Sequence, residues 1–160
     1  MQSTYNTDPT IAVAGQVVER GEIVGRYQCS EDIPPGRFVE LHSDGKLRLP
    51  QGTGADIGKL VGVAIYRGAI EPNATGYKAG EYVPCLRRGK VWAELVSGAT
   101  VADLAACSVY HSSTIATNRG KVGSAAEAGG AGVEIDSVPN VQFDGSSIAN
   151  TIALVSVNLP

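Results

Sequence analysis

The fold class that the sequence predicts is all-β: a single domain built as a β-sandwich, a jelly-roll-like fold or a small barrel, with an extended N-terminal arm. Twenty glycines and eight prolines divide the 160-residue chain into short apolar segments. These segments recur at spacings of roughly 8–12 residues, which is typical of sandwiches and barrels. Long helical patterns do not alternate with them, so an α/β fold is disfavoured. The length suits one domain with one hydrophobic core.

The N-terminal residues 1–10 are polar and are predicted to form an extended arm, with the β-domain spanning residues 11–160. Such a terminus is either disordered or ordered by a partner. Tyr5 is a candidate anchor, because aromatic side chains are enriched at the cores of interfaces. The arm residues predicted to contact a partner are Gln2, Ser3, Thr4, Tyr5, Asn6, Asp8 and Pro9.

Turn-forming residues set the boundaries of the predicted strands. Two prolines place a turn at Ile33–Gly36, since proline is excluded from central strands. The dipeptide Asp44-Gly45 predicts a β-hairpin and is suited to a type I′ turn. Pro139 is expected to break the segment in which it lies. The predicted strand segments are residues 11–18, 22–29, 37–41, 46–49, 59–66, 82–88, 90–96, 138–143 and 148–157.

Several segments carry more specific expectations. Residues 59–66 form a continuous apolar, β-branched run, which favours a strand buried on both faces. Pro84 places its segment at a sheet edge or at a bulge. Residues 148–157 are apolar on both faces, which fits a central strand or one covered by a partner subunit. Residues 101–109 are the one candidate helix, and residues 115–122 suggest a further hairpin through Asn118-Arg119-Gly120.

The charge of the chain excludes some classes of partner. A net charge of −3 disfavours a nucleic-acid-binding protein, which would carry a basic face. The local basic cluster of Arg87, Arg88 and Lys90 is expected to be a solvated face or the rim of an interface. No apolar run approaches the ~18 residues of a membrane span, so no membrane partner is predicted. The N-terminus has no signal-peptide pattern, so we expect synthesis in a cytoplasm.

Motifs for catalysis, metals or cofactors are lacking, so the chain is predicted not to be an enzyme and to need no cofactor. Cys29, Cys85 and Cys107 form no CxxC pair and are expected to be buried thiols that pack as small apolar residues. His42 and His111 have no second ligand at metal spacing and are expected at the surface. The glycine-rich loop at residues 52–59 fails both the P-loop and the dinucleotide-binding patterns.

Six segments, in this order and spacing, resemble the structural cement protein family of tailed bacteriophages. They include an Ile-Pro-Pro-Gly turn into a strand, a Tyr-x-x-Gly-Glu-x-Val segment and a Gly-x-Val-Trp strand. The chain departs from the pattern at Asn150-Thr151, where a glycine is expected before the last alanine. The segments are Ala14–Val18, Ile33–Val39, Lys59–Ala64, Tyr77–Leu86, Arg88–Ala93 and Ile148–Val155.

The resemblance implies a capsid cement, or decoration, protein. Such a protein would sit on the outer surface of a phage capsid and stabilise the joints between major capsid subunits. Its partners would be the major capsid protein and further copies of itself, with a homotrimer favoured and a dimer possible. It would be made in the host bacterial cytoplasm and reside in the virion.

Two other functions remain open from the residues alone. A head-fibre or tail-associated β-domain that binds a host glycan would stack sugars on aromatic side chains, for which Trp92, Tyr66, Tyr77 and Tyr110 are candidates. A small hydrolase would need His42 or His111 paired with a carboxylate. The number of copies in each virion separates a shell-wide cement protein from a fibre or tail protein.

Overall fold

Nine antiparallel β-strands form the part of the chain that the computed structural model describes, and they join into one sheet. The described residues are 12–51, 59–67, 76–99, 101–111, 116–124, 135–148 and 151–160. The strands are β1 (Val17–Val24), β2 (Phe38–Leu41), β3 (Leu47–Arg48), β4 (Lys59–Ala64), β5 (Cys85–Glu94), β6 (Ala106–Tyr110), β7 (Val122–Gly123), β8 (Ile135–Ile148) and β9 (Ile152–Asn158). Within these ranges there is no α-helix, and Ala116–Asn118 form a 3-10 turn. The all-β prediction is confirmed.

The sheet curls back on itself. Its strand order is β3-β2-β4-β5-β9-β8-β6-β7, and β1 pairs separately with β5. A parallel bridge joins Leu95, just after β5, to Val122 of β7, and the Val96 amide donates to the Val122 carbonyl at 2.9 Å. The strands from β5 to β7 therefore form a half-barrel, which agrees with the predicted sandwich or small barrel.

Two hydrophobic clusters lie on opposite faces of the first strands. Successive side chains of a strand point to opposite faces. Val63 of β4 packs in a large cluster inside the half-barrel, while Val61 and Ala64 pack in a smaller cluster on the other face. Val61 and Val63 lie on different faces although they are two residues apart, because the pairing of β4 with β2 is irregular at Val61. This confirms the prediction that the residue 59–66 segment is buried on both faces. The largest fully buried side chains, Phe38 and Phe143, both belong to the first cluster.

Strand β5 is the hub of the sheet, because it pairs with β1, β4 and β9. The sequence predicts two segments here, residues 82–88 and 90–96, whereas the structure has one ten-residue strand. Gly89 allows the strand to continue: its φ is +132°, and a Cβ at this position would overlap the carbonyl oxygen of Glu19 in β1. Pro84 precedes the strand, so it removes no donor from the ladder.

Strand β1 corrects the predicted boundaries at the N-terminal end. The sequence predicts separate segments at residues 11–18 and 22–29, but the structure forms one strand across the charged stretch between them. Most β1 side chains are exposed, so charged residues cost little there. Three register irregularities along its pairing with β5 also destroy the period-2 pattern that marks a regular strand.

The β2–β3 hairpin confirms the Asp44-Gly45 signal but not the predicted turn type. The His42 amide donates to the Lys46 carbonyl at 2.9 Å, and the Gly45 amide donates to the His42 carbonyl at 3.0 Å. A type I′ turn needs a positive φ at both central residues. Of Asp44 and Gly45, only the glycine has one, at +78°. Asp44 instead accepts a hydrogen bond from the Lys46 amide at 2.9 Å.

The predicted helix at residues 101–109 is wrong. Leu104 has a φ of +61°, which a right-handed helix excludes, and it lies in a turn before β6. Strand β6 then pairs with both β7 and β8. The predicted hairpin at residues 115–122 is also revised: the turn at Arg119–Gly120 exists, but the strand after it, β7, pairs with β6.

Strands β8 and β9 differ from the prediction in two ways. Pro139 does not break its strand, because the chain bulges there: Ala106 of β6 pairs with Gln142, and Ser108 pairs with Ser137. Residues 148–157 are not one strand, since Ile148 pairs with Ile152 across a turn. As expected for a central strand, β9 lies between β5 and β8.

Arg119 links the connection between β6 and β7 to residues on either side of the β2–β3 hairpin. Its guanidinium, 11 % exposed, donates to both carboxylate oxygens of Glu31, at 2.8 and 3.1 Å. It also donates to the carbonyls of Leu49 at 2.6 Å and Pro50 at 3.1 Å. A planar guanidinium suits such a set of fixed acceptors. The β6–β7 connection is thereby fixed to the segment that follows β3.

Candidate functional site

The predicted partner contacts of the N-terminal arm, residues 2–6, 8 and 9, lie outside the described residues. Their role stays a prediction. The site that can be built from described residues is a groove in the sheet, and of the residues discussed as possible interface residues it includes only Arg87.

The four candidate sugar-stacking aromatics do not form one exposed platform. Tyr77 is 3 % exposed and Tyr110 is 2 % exposed, so both are core residues. The Tyr77 hydroxyl donates to the Ile65 carbonyl at 2.8 Å, and burial raises the pKa of Tyr77 to about 12. Trp92 and Tyr66 are partly buried. An aromatic that the sequence analysis did not single out, Tyr82, is exposed.

The histidines occupy different environments. His111 is 2 % exposed, which corrects the expectation of a surface position; it follows β6 and is enclosed with that strand. The Nδ1 atom of His42 lies 3.4 Å from a carboxylate oxygen of Asp44 in the exposed β2–β3 turn. That contact joins near neighbours in one turn and lies outside the groove, so it shapes the turn rather than a cleft.

The three cysteines are free and buried, as predicted. Burial raises the pKa of the Cys85 thiol to about 12, and it also raises the pKa values of Cys29 and Cys107. All three thiols are therefore neutral near pH 7, and a neutral thiol is a poor nucleophile and metal ligand. Over the described ranges, no group of three or more His, Cys, Asp or Glu side chains could hold a metal ion.

None of the helical segments in the described ranges is long and apolar enough to span a membrane.

The basic cluster on β5 is neutralised by acidic neighbours at a solvated face, as predicted. Arg87 and Arg88 lie 3.7 and 3.6 Å from the carboxylate of Glu22. Lys90 lies 2.8 Å from Asp144, and hydrogen bonding to that carboxylate raises the pKa of Lys90. Exposed pairs of this kind contribute little to stability, about 0–1 kcal/mol each.

A groove of about 720 Å³ opens where β4 diverges from β5, and we call it the fork groove. Strand β4 pairs with β5 only at Val63 and Ala64. Beyond that point the chain after β9 takes the place of β4, since the Leu159 amide donates to the Arg87 carbonyl at 3.1 Å. The beginning of β4, Lys59–Val61, therefore faces the groove.

The floor of the fork groove is apolar. Val24, Leu41, Leu60 and Leu159 line it, and the bulge of β8 at Pro139-Asn140 closes one side. Asn140 holds a φ of +64°. Asparagine tolerates this conformation better than most residues, and bulges of this kind often lie next to binding sites.

Three cations surround this apolar surface: Arg26, Lys59 and Arg87. No carboxylate side chain of a described residue lines the groove. The Arg26 guanidinium lies over the Tyr27 ring at 5.0 Å. Neither Arg26 nor Lys59 forms an ion pair with a described acidic residue. In a chain with a net charge of −3, the groove is a local region of positive charge.

Sequence reasoning missed the fork groove because its parts are far apart in the chain. Arg26 follows β1, Lys59 begins β4 and Asn140 lies inside β8. The one local signal was Pro139-Asn140 within an apolar segment, since proline in a strand points to an edge or a bulge. Nothing in the sequence indicated that this bulge would face Lys59.

Comparison with known proteins gives two matches. A family model described as "Structural cement protein (E217 gp24/Pam3 gp6)" matches residues 1–158. A chain in the solved structure named "The capsid of Myoviridae Phage XM1" has the same fold, with a TM-score of 0.73 and 16 % sequence identity. That match covers 99 % of this chain and 98 % of the other. No curated protein matches at the sequence level.

The family match spans the described strands and also residues 1–10, the predicted arm. The order of segments that suggested the resemblance corresponds to β1, the turn before β2, β4, β5 and the β8–β9 pair. This chain belongs to the family of phage structural cement proteins, and its role is to stabilise a capsid.

Proposed function

We propose that this protein binds the outer surface of an assembled phage capsid and adds contacts across the joints between major capsid subunits. The observation that carries the proposal is the match to the structural cement protein family over residues 1–158. The protein acts by binding alone and has no enzymatic activity. It is made in the cytoplasm of the host bacterium and stays on the virion.

The physical basis is preferential binding to the assembled shell. A ligand that binds one state and not the other stabilises the first state by mass action. A standard protein interface buries about 1,600 Å² in total. Repetition of that interface over a symmetric lattice adds avidity, because neighbouring contacts raise each other's effective concentration. A bridging subunit therefore opposes the outward pressure of packaged DNA without any chemistry.

Strand β1 offers one surface for such contacts. Within the described part of the chain it pairs only with β5, and its Val18 and Ile23 side chains are 56 % and 38 % exposed. An edge strand can accept a strand from a partner through main-chain hydrogen bonds. Glu19 and Arg20 on the same strand are exposed charges, which limit unspecific edge-to-edge pairing.

The assembly on the capsid is a homotrimer at three-fold joints, with a dimer at two-fold joints as the alternative. The N-terminal arm, residues 1–10, lies along a neighbouring subunit in either case. The family match includes the arm, which supports a role for these residues beyond a passive tail.

Purified protein added to capsids that lack it is expected to raise the temperature at which the particles rupture and release DNA. At a free concentration of about 100 Kd, each occupied site stabilises the shell by about 2.7 kcal/mol. Rupture is followed by the fluorescence of a DNA-binding dye during heating. Saturated particles that rupture at the same temperature as bare ones would refute the stabilising role, and dissociated capsid protein serves as the control that should not bind.

A further inference from the structure

We propose that the fork groove binds an extended segment of the capsid protein, and that this segment carries both apolar and acidic side chains. This inference rests on the proposed function, since it assumes that the protein binds a capsid. It goes further by naming the part of the protein that makes the contact and the chemistry of the segment that it receives.

The charge of the groove selects an acidic partner. Arg26 and Lys59 are exposed cations at its border, and neither forms an ion pair with a described carboxylate. Arg87 also lines the groove, but Glu22, whose carboxylate lies 3.7 Å away, already offsets much of its charge. The two unpaired cations, beside a groove that no described acidic side chain lines, favour a segment with Asp or Glu and disfavour a basic one.

The apolar floor adds a second requirement. Val24, Leu41 and Leu60 line the groove without being fully buried, so a partner that covers them removes apolar surface from water. An acidic but entirely polar segment would leave this surface wet. The best fit is therefore a segment in which apolar and acidic side chains occur together.

One edge of β4, at Lys59 and Leu60, pairs with none of the described strands, and this favours an extended partner segment. Lys59 and Leu60 pair with Leu41 and Glu40 of β2 on one side. On the other side, none of the described strands pairs with them, because β4 meets β5 only from Val63 onwards. An extended segment can add main-chain hydrogen bonds along such an edge while its alternate side chains reach the groove floor.

The β8 bulge is shaped for this role. A regular strand would pair with β6 throughout, but the chain between Ser137 and Gln142 leaves the ladder and carries Pro139 and Asn140 to the groove wall. The positive φ of Asn140 is a conformation that most side chains avoid. Such outliers concentrate at binding sites, where the surrounding structure holds them in place.

A double charge reversal tests the inference. The variant Arg26→Glu/Lys59→Glu is compared with the matched variant Lys46→Glu/Lys78→Glu, which also reverses two positive charges, at exposed positions outside both the groove and β1. Binding to capsids that lack the protein is measured by co-sedimentation over a range of concentrations, with thermal melting to show that both variants fold. The groove variant is expected to bind about tenfold more weakly or worse, and the matched variant like the wild type.

A photo-crosslinking amino acid at position 59 identifies the occupant directly. On capsids it is expected to crosslink to a capsid-protein segment that contains Asp or Glu between apolar residues. The same probe at position 46 is expected to form no such crosslink. The inference is overturned if position 59 crosslinks to a second copy of this chain, or if it forms no crosslink to the capsid protein.

Binding measurements distinguish a failure of the groove inference from a failure of the proposed capsid-binding function. If the wild type binds capsids and the groove variant binds equally well, the groove is not the contact and the capsid-binding function stands. If the wild type does not bind capsids, the proposed function fails and the groove inference falls with it.

Discussion

The variant Arg48→Met is expected to lower the free energy of unfolding by about 3–5 kcal/mol. Glu40 is 0 % exposed, and the Nε atom of Arg48 lies 2.5 Å from one of its carboxylate oxygens. The two residues are direct cross-strand partners in the β2–β3 hairpin. Methionine fills a similar volume but brings no charge, so the carboxylate stays buried without this cation. For a domain of this size, the melting temperature should fall by about 10 °C.

Two matched variants separate the ion pair from a general effect of mutation. Arg20→Met removes an exposed arginine of β1 and should change stability by less than about 0.5 kcal/mol. The double variant Glu40→Met/Arg48→Met should recover most of the loss, because no charge then remains buried. Thermal and urea unfolding provide the measurement. An Arg48→Met variant as stable as Arg20→Met would show that the pair does not stabilise the hairpin.

The variant Gly89→Ala is expected to cost about 2–4 kcal/mol and to loosen β1 from the sheet. At a φ of +132° an alanine is strained, and its Cβ would overlap the carbonyl oxygen of Glu19. The overlap is with a backbone oxygen of β1, so rotation of a side chain cannot relieve it and the strand itself must shift. Amide hydrogen exchange should show that β1 loses protection. Strand β9, which pairs with β5 and β8 and not with β1, should keep its protection.

Gly25→Ala is the control for this experiment. A Cβ at Gly25 meets no atom within 4 Å, and the residue has no positive φ. The substitution should be neutral or slightly stabilising, by up to about 1 kcal/mol, because alanine restricts the unfolded chain. Equal stability of the two variants would contradict the role assigned to Gly89 as the residue that permits β1 to pair with β5.

The parts of the fold that sequence analysis predicted correctly are those set by local chemistry. Asp44-Gly45 marks a tight turn because glycine adopts a positive φ without a steric penalty, and the hairpin forms there. Within the segment at residues 59–66, residues 60–65 have no polar side chain for either face, and both faces of β4 carry buried residues in the structure. Neither inference needs knowledge of the rest of the chain.

The parts that failed depend on distant partners. The charged stretch of β1 contains no strand pattern, and it becomes a strand because β5 offers it an edge across an irregular register. Residues 101–109 have the composition of a short helix, but pairing of β6 with β7 and β8 outweighs that weak preference. Tertiary context decided both cases.

The candidate site could not be found from the sequence for the same reason. Arg26, Lys59 and Arg87 belong to different strands or their flanks, and only the divergence of β4 from β5 brings them to one groove. Single cations in a chain are more often solvated surface residues than binding groups. The family, by contrast, was accessible from sequence, because the order of its short segments survives where each single motif is weak.

The most direct test of the central claim is the number of copies of this protein relative to the major capsid protein in purified virions, measured by quantitative mass spectrometry. A cement protein that bridges joints over the whole shell predicts a ratio near one per capsid subunit, or a simple lattice fraction of one. A handful of copies per particle would contradict the claim and indicate a fibre or tail component, and absence from the virion would refute a structural role on the capsid.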